Sequence, residues 1–308
     1  MTVSRWGFKG FFLNRLAAGA LAACVAWAAA VQAPAEPLAV QPVQVPSLDA
    51  PKGAPVRLAG WWYPAAVSGP APAVVLLHGC GGMLDAHGEP NARTREYAAL
   101  LHAQGWHVLA LDSLGARGER ELCTQRIGTR AITMTQRRRD ALGALQWLAA
   151  RPEVDAARLA LLGWSNGGST VLAANNLNDA EVSAAPVRAR TAVAYYPGCE
   201  AEQRRGYRAA SPTLLLLGLA DDWVLAAPCL ALAHAAQGQT VDGQPAVTAL
   251  GFEGAYHGFD GHTPVRLRRD VPNGTHPGQG VHQGANPEAR ERAQAAMLAA
   301  LRQGLAGR

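Results

Sequence analysis

From residue 56 onward the chain alternates short apolar runs with longer stretches in which apolar positions recur every three or four residues. Residues 56–63 (Val-Arg-Leu-Ala-Gly-Trp-Trp-Tyr) alternate and predict a strand closed by Pro64. Residues 73–77, 106–111, 159–164, 191–196, 213–217 and 246–252 are largely apolar and of strand length, the pattern of strands buried on both faces. Helical periodicity covers 93–104 with Gly105 as C-cap, 132–150 up to Arg151-Pro152, 169–175, 228–237 and Pro287–Leu305. Strands alternating with helices predict an α/β fold: a mostly parallel sheet with helices on both faces. The segment 36–55, rich in Pro and Val, reads as extended with one edge strand. Residues 261–286, rich in Gly, Pro and His, yield no element, and so long a loop is either functional or mobile. Arg137, Arg138 and Arg139 in the 132–150 helix read as a solvated face.

In such sheets the site forms beyond the carboxyl ends of the strands. The polar residues that fall there are His78-Gly79-Cys80-Gly81-Gly82, Ser165, Asp221-Asp222 and His257. Ser165 lies in Gly163-Trp164-Ser165-Asn166-Gly167-Gly168, an apolar strand that breaks at a Gly-x-Ser-x-Gly turn and continues as a helix. That turn exposes the hydroxyl and aims the following N–H at the same space. A serine hydroxyl is a poor nucleophile until a base takes its proton. His257 follows the last strand and precedes Gly258, which leaves room for its ring, so it is the expected base. Asp221, three residues beyond the Gly218 turn, is the expected orienting acid, and Asp222 is expected to face solvent or support it. The oxyanion hole is expected from the N–H groups of Asn166 and of the His78–Gly82 loop, specifically Cys80. His78 reads as structural. His262, His276 and His282 match no metal-ligand spacing, so no metal is expected.

The N-terminus changes the reading of charge and compartment. Arg5, Lys9 and Arg15 precede an alanine-rich apolar run from Leu16 to Val31, with Ala28-x-Ala30 and Ala33-x-Ala35 as cleavage sites. Residues 1–35 therefore read as a secretory signal peptide ahead of one domain, 36–308, in a periplasmic or secreted protein. Leu21-Ala22-Ala23-Cys24 leaves lipoprotein-type processing as an alternative, and a retained membrane anchor is another. Removing residues 1–35 lowers the formal net charge from +5 to +2, so the basic balance gives no case for nucleic-acid binding. Four cysteines remain: Cys80, Cys123, Cys199 and Cys229. In an exported chain they favour disulfides. Of the three pairings, Cys80–Cys123 and Cys199–Cys229 are favoured because each joins loops at one end of the sheet, though sequence does not settle the matter.

The chain resembles the dienelactone hydrolase-like branch of the α/β-hydrolases. The matching segments are His78-Gly79-Cys80-Gly81-Gly82, Asp112-Ser113 with Arg117-Gly118, Gly163 to Gly168, Tyr195-Tyr196-Pro197-Gly198, Gly218-x-x-Asp221-Asp222-Trp223 and Tyr256-His257-Gly258-Phe259-Asp260. The resemblance implies an eight-stranded α/β-hydrolase fold and cofactor-free hydrolysis of small carboxylic esters or lactones, with Ser165, Asp221 and His257 as the triad. The family's name-giving enzymes carry cysteine where this chain has Ser165. Arg117 is a candidate substrate contact, with a loop-bracing salt bridge as the competing reading. A peptidase or amidase of the same fold and a non-catalytic binding protein of the cell envelope are the rival functions.

Overall fold

A computed structural model describes residues 38–307. The expected signal peptide, 1–35, and the lipobox-like Cys24 lie outside the described residues. No helix among the described residues is long and apolar enough to cross a membrane.

The main sheet has eight strands. They are β1 (Gln41–Pro46), β2 (Arg57–Tyr63), β3 (Ala71–Leu77), β4 (His107–Leu111), β5 (Val154–Trp164), β6 (Thr191–Tyr195), β7 (Thr213–Gly218) and β10 (Val247–Phe252). Their spatial order is β1-β2-β4-β3-β5-β6-β7-β10. β1 and β2 are antiparallel to their neighbours, and every pairing from β4 to β10 is parallel. The expected mostly parallel, eight-stranded sheet is thus present, with β2 alone, second from one edge, running against the other strands. β8 (Thr240–Val241) and β9 (Gln244–Pro245) form a small separate hairpin.

Helices cover both faces, which is why β3, β4, β6 and β7 are buried along their whole length. On one face α2 (Met134–Ala149), α3 (Asn166–Ala174) and α6 (Ala227–Ala235) pack Ala141, Leu145, Val171, Leu172 and Leu232 against Val75, Leu161 and Leu215. On the other, α1 (Ala92–His102) and α7 (Pro287–Leu305) pack Tyr97, Leu101, Met297 and Leu301 against Val74, Leu162 and Leu216. The short helices α4 (Ala180–Ser183) and α5 (Glu200–Arg204) lie in connections that carry no helical periodicity in the sequence.

Local chemistry sets the helix starts. Asn91 and Asn286 each accept a backbone N–H of the first turn, and Thr133 with Gln136 forms a reciprocal capping box on α2. The Asp155-x-x-Arg158 segment is built into β5 as an irregularity of the strand. Ala71 pairs with Val154 and Ala73 with Leu159, so residues 155–158 bulge from the ladder. Asp155 holds the bulge by accepting from Ala157 N and Arg158 Nε.

Two expectations are corrected. The arginine run on α2 is no solvated face. Arg137 and Arg138 are buried, Arg138 binds Asp179 and Glu181, and Arg139 reaches Glu181 and Asp49. The helix places Arg137 on the same stripe as Ala141, Ala144, Leu145 and Leu148, so its side chain enters the protein. The segment 261–286 does contain regular structure: β11 (Arg266–Arg268) and β12 (Val281–Gln283) pair as an antiparallel ribbon.

Candidate active site

β5 ends at Trp164 and α3 begins at Asn166, leaving Ser165 alone in the turn with φ 54° and ψ −117°. Non-glycine residues rarely adopt such angles, and the turn persists because its surroundings are over-determined. Ser165 N donates to Tyr195 O at 2.9 Å, and Ser165 O accepts from Ser169 N at 2.8 Å. Glycine is required on both sides: a Cβ on Gly163 would collide with the Gly167 carbonyl, and one on Gly167 with the Leu77 carbonyl. The elbow therefore packs backbone to backbone against the end of β3.

The three expected triad residues meet. His257 Nε2 lies 2.8 Å from Ser165 Oγ, and His257 Nδ1 lies 2.7 Å from Asp221 Oδ2. His257 and Asp221 are both buried. The second carboxylate oxygen of Asp221 accepts from Trp223 N and Val224 N, each at 2.9 Å, which fixes the carboxylate plane. The imidazole sits between two aromatic rings, Tyr196 and Trp223, each with its centroid 4.6 Å away. Tyr196 is itself anchored. Its hydroxyl donates to buried Asp260 at 2.5 Å, where Tyr97 and a two-pronged Arg93 also converge. Burial and the Asp260 charge push the Tyr196 and Tyr97 hydroxyls well above the ordinary phenol range.

Asp222 points elsewhere. It accepts from His282 N and pairs with His282 Nδ1 at 2.6 Å, while its carbonyl accepts from Thr275. It fastens the 261–286 segment beside the triad. Asp222 thus turns away from Asp221 to partners of its own and does not support it, and the ribbon it holds was invisible in the sequence because the partners lie 60 positions away.

Two N–H groups are available for an oxyanion. Asn166 is the first residue of α3, so its N–H has no partner one turn back and sits at the positive end of the helix. The Cys80 N–H donates to no protein group among the described residues. The loop carrying it lies against Ser165, since a Cβ on Gly79 would be 3.4 Å from Ser165 Cβ. The Cys80–Cys123 disulfide and the Leu122 N to Cys80 O hydrogen bond (2.7 Å) tie that loop down. The second disulfide, Cys199–Cys229, joins the end of β6 to α6. Both pairings are the favoured ones. They fit an extracellular or periplasmic protein.

His78 is structural, as expected. Its Nδ1 faces Gly79 O at 2.7 Å, and its Nε2 accepts from Ser113 N at 3.2 Å. An N–H donating to Nε2 requires the neutral ring. Accordingly burial, reinforced by the Arg137 charge, lowers its pKa to about 3. The nearby Asp112 carboxylate, 3.7 Å from Nε2, is therefore no ion-pair partner near neutral pH.

Arg117 is corrected. Its guanidinium donates to Ser113 O, to both oxygens of Asp140 and to Asp49, at 2.7–2.9 Å. It braces the loop after β4, which is the competing reading of this residue, and all four Nη hydrogens are committed to that role. Arg137, expected on a solvated face, touches the site instead. Nη1 donates to Asn166 Oδ1 at 2.5 Å and Nη2 to His78 O at 2.8 Å.

A cavity of about 480 Å³ adjoins the triad, lined among others by Asn166, Trp223, Ile132, Met134, Val224 and Leu225. A broader depression of about 690 Å³ lies between Gly81 and Arg268, but only the former touches both Asn166 and Trp223. Among the described residues no group of three or more His, Cys, Asp or Glu converges as a metal site. His262 bonds to Glu96 and Arg290.

Comparison with known proteins agrees with this architecture. A dienelactone hydrolase-like promiscuous phosphotriesterase from metagenomic libraries superposes with TM-score 0.63 at 22% identity, covering 87% of this chain and 100% of that one. Thermogutta terrifontis esterase 2 gives 0.57 at 19% identity, covering 89% and 97%. A puromycin-hydrolyzing peptidase of Mycobacterium tuberculosis gives 0.60 at 20% identity, covering 89% of this chain and 41% of that one. At these identities the likeness shows the α/β-hydrolase fold. Two uncharacterized Mycobacterium tuberculosis proteins are 30% identical over an alignment of 187 residues that covers 55% of this chain and 59% of each relative's length. The Dienelactone hydrolase family model matches residues 59–305, and the chain belongs to that family.

Proposed function

We propose that this protein is a serine hydrolase of carboxylic esters or lactones that works through an acyl-enzyme on Ser165. The observation that carries the reading is the continuous relay Ser165 Oγ–His257–Asp221, with links of 2.8 and 2.7 Å. His257 Nε2 takes the hydroxyl proton as Oγ attacks the substrate carbonyl carbon. The carbonyl oxygen becomes an oxyanion that accepts from the Asn166 and Cys80 N–H groups. His257 returns the proton to the leaving alkoxide as the C–O bond breaks, giving alcohol and acyl-enzyme. Water then repeats the sequence on the acyl carbon and releases the acid and Ser165. Throughout, Asp221 holds the Nδ1 proton in place and stabilises the imidazolium, so that Nε2 is the nitrogen that takes and returns the moving proton.

The cavity beside the triad receives the bulkier substrate group. Its Ile132, Met134, Val224 and Leu225 walls favour an apolar one. A signal peptide over 1–35 and a periplasmic or secreted location complete the reading, on the strength of the two disulfides. The test is turnover of p-nitrophenyl esters and lactones by wild type and Ser165→Ala. Activity that disappears in the variant supports the proposal, and wild-type rates in a folded Ser165→Ala protein overturn it. Wild type that cleaves amides but no ester would favour the peptidase reading.

A further inference from the structure

Arg137 is the least expected residue in the interior. It is 1% exposed, and no carboxylate lies within ion-pair distance of it among the described residues. Its Nε–H has no acceptor. Burial lowers its pKa to about 10, which leaves it a cation at neutral pH. The charges of Asp140 and Asp112 offset the burial only in part; a buried cation with no direct ion pair destabilises a fold, and an apolar side chain of similar volume would pack without that cost. Core packing therefore gives no reason for this arginine.

Its two acceptors do. Asn166 supplies the N–H that follows the nucleophile, and the guanidinium holds its side-chain oxygen at 2.5 Å. His78 O, held at 2.8 Å, is the carbonyl at the root of the loop that carries Cys80. One planar, forked donor thus bridges the two segments that carry the oxyanion donors. These segments come from different strands, β5 and β3, and a fork with fixed geometry sets their separation where a lysine would not. The charge sits in a water-excluded region, where it acts strongly on negative charge that develops nearby.

We infer that Arg137 is a positioning residue for the oxyanion hole, holding the Asn166 and Cys80 N–H groups in register and adding a fixed positive charge behind them. The inference rests on the acyl-enzyme reading above. Removing a direct oxyanion donor costs about 100- to 1,000-fold in kcat, so loosening both donors indirectly is expected to cost about 10- to 100-fold.

The experiment compares wild type with Arg137→Gln, Arg137→Lys and Asn166→Ala on one p-nitrophenyl ester. It also measures inhibition by a boronic acid that forms a tetrahedral adduct on Ser165. For folded Arg137→Gln the expected result is a kcat lower by about 10- to 100-fold, KM within about threefold, and boronate affinity falling in step with kcat. Arg137→Lys recovers only part of the rate. Asn166→Ala keeps its backbone N–H but loses the acceptor, and shows the same kcat-weighted loss. Its effect is less than additive with Arg137→Gln. A folded Arg137→Gln with kcat within twofold of wild type overturns the inference, as does a kcat loss with boronate affinity unchanged. If Arg137→Gln fails to fold, Asn166→Ala decides, and wild-type kcat there overturns it. Labelling with a fluorophosphonate separates the two levels. Unlabelled wild type removes the nucleophile itself, whereas labelled wild type with an unimpaired Arg137→Gln removes this inference alone.

Discussion

Replacing Asp221 by Asn probes the relay at the point where geometry and proton placement can be separated. In the native site Asp221 Oδ2 faces His257 Nδ1 at 2.7 Å, while Oδ1 accepts from Trp223 N and Val224 N at 2.9 Å. Asparagine has nearly the same shape. Its single oxygen is claimed by the two backbone N–H groups, so its NH2 faces Nδ1. Two donors cannot face each other, so the imidazole shifts its proton to Nε2. Nε2 then donates to Ser165 Oγ and can no longer take its proton. The fold survives, and the base is lost. A wrong tautomer of this kind costs about 10⁴-fold in kcat, equivalent to about 5.4 kcal/mol of transition-state stabilisation. The parallel variant Asp222→Asn is the control. It weakens a half-exposed pair with His282 at 2.6 Å, a contact worth at most about 1 kcal/mol of stability after solvent screening, and is expected to leave kcat within about fivefold. The assay is p-nitrophenyl ester hydrolysis with Tm measured alongside. The reasoning is refuted if Asp221→Asn keeps more than a tenth of wild-type kcat, or if Asp222→Asn suffers the larger loss.

Other variants and conditions read different parts of the structure. Tyr196→Phe deletes a hydroxyl that donates to buried Asp260 at 2.5 Å, and is expected to cost about 1–3 kcal/mol of stability while the ring still packs on His257. Chemical denaturation measures it, and an unchanged midpoint would count against the network. His78 links stability to pH. Its folded pKa, about 3, lies below its ordinary value of 6.5, so the unfolded chain binds the extra proton between those values. Its contribution, on the order of 4–5 kcal/mol, is intact above pH 6.5 and lost progressively as pH falls towards 3. Unfolding free energy measured from pH 7 to pH 4 should fall faster in wild type than in His78→Gln, and parallel curves would contradict the assignment. Acyl chain length reads the cavity: kcat/KM should rise about threefold per methylene until the space of about 480 Å³ is filled. Leu225→Trp should move the optimum to shorter chains, and a flat series would show that the substrate lies elsewhere.

What the sequence disclosed and what it hid divide along physical lines. Strands buried on both faces leave unbroken apolar runs, so β3, β4, β6 and β7 were readable, and the elbow's glycines announced a backbone contact. The meeting of Ser165, Asp221 and His257 was legible because each follows a strand end. Choosing Asp221 over Asp222 rested on spacing from Gly218, and the geometry places Asp221 beside His257. The role of Arg117 was hidden because its partners, Asp49 and Asp140, lie 68 and 23 positions away. The ribbon in 261–286 was hidden for the same reason, since Asp222 pins it from 60 positions away and its strands are only three residues long. Arg137 did leave a signal. It stands four and eight residues before Ala141 and Leu145 on α2, at the spacing of the buried stripe. Reading Arg137–Arg139 as a charge run masked that periodicity, which places Arg137 inside and Arg139 outside.

The most direct measurement of whether His257 activates Ser165 is fluorophosphonate labelling followed by peptide mass spectrometry, in wild type and His257→Ala. Wild type is expected to carry one adduct, on the peptide containing Ser165, with His257→Ala reacting at least about a thousandfold more slowly. An adduct on a different residue, or equal rates in the two folded proteins, would contradict the account.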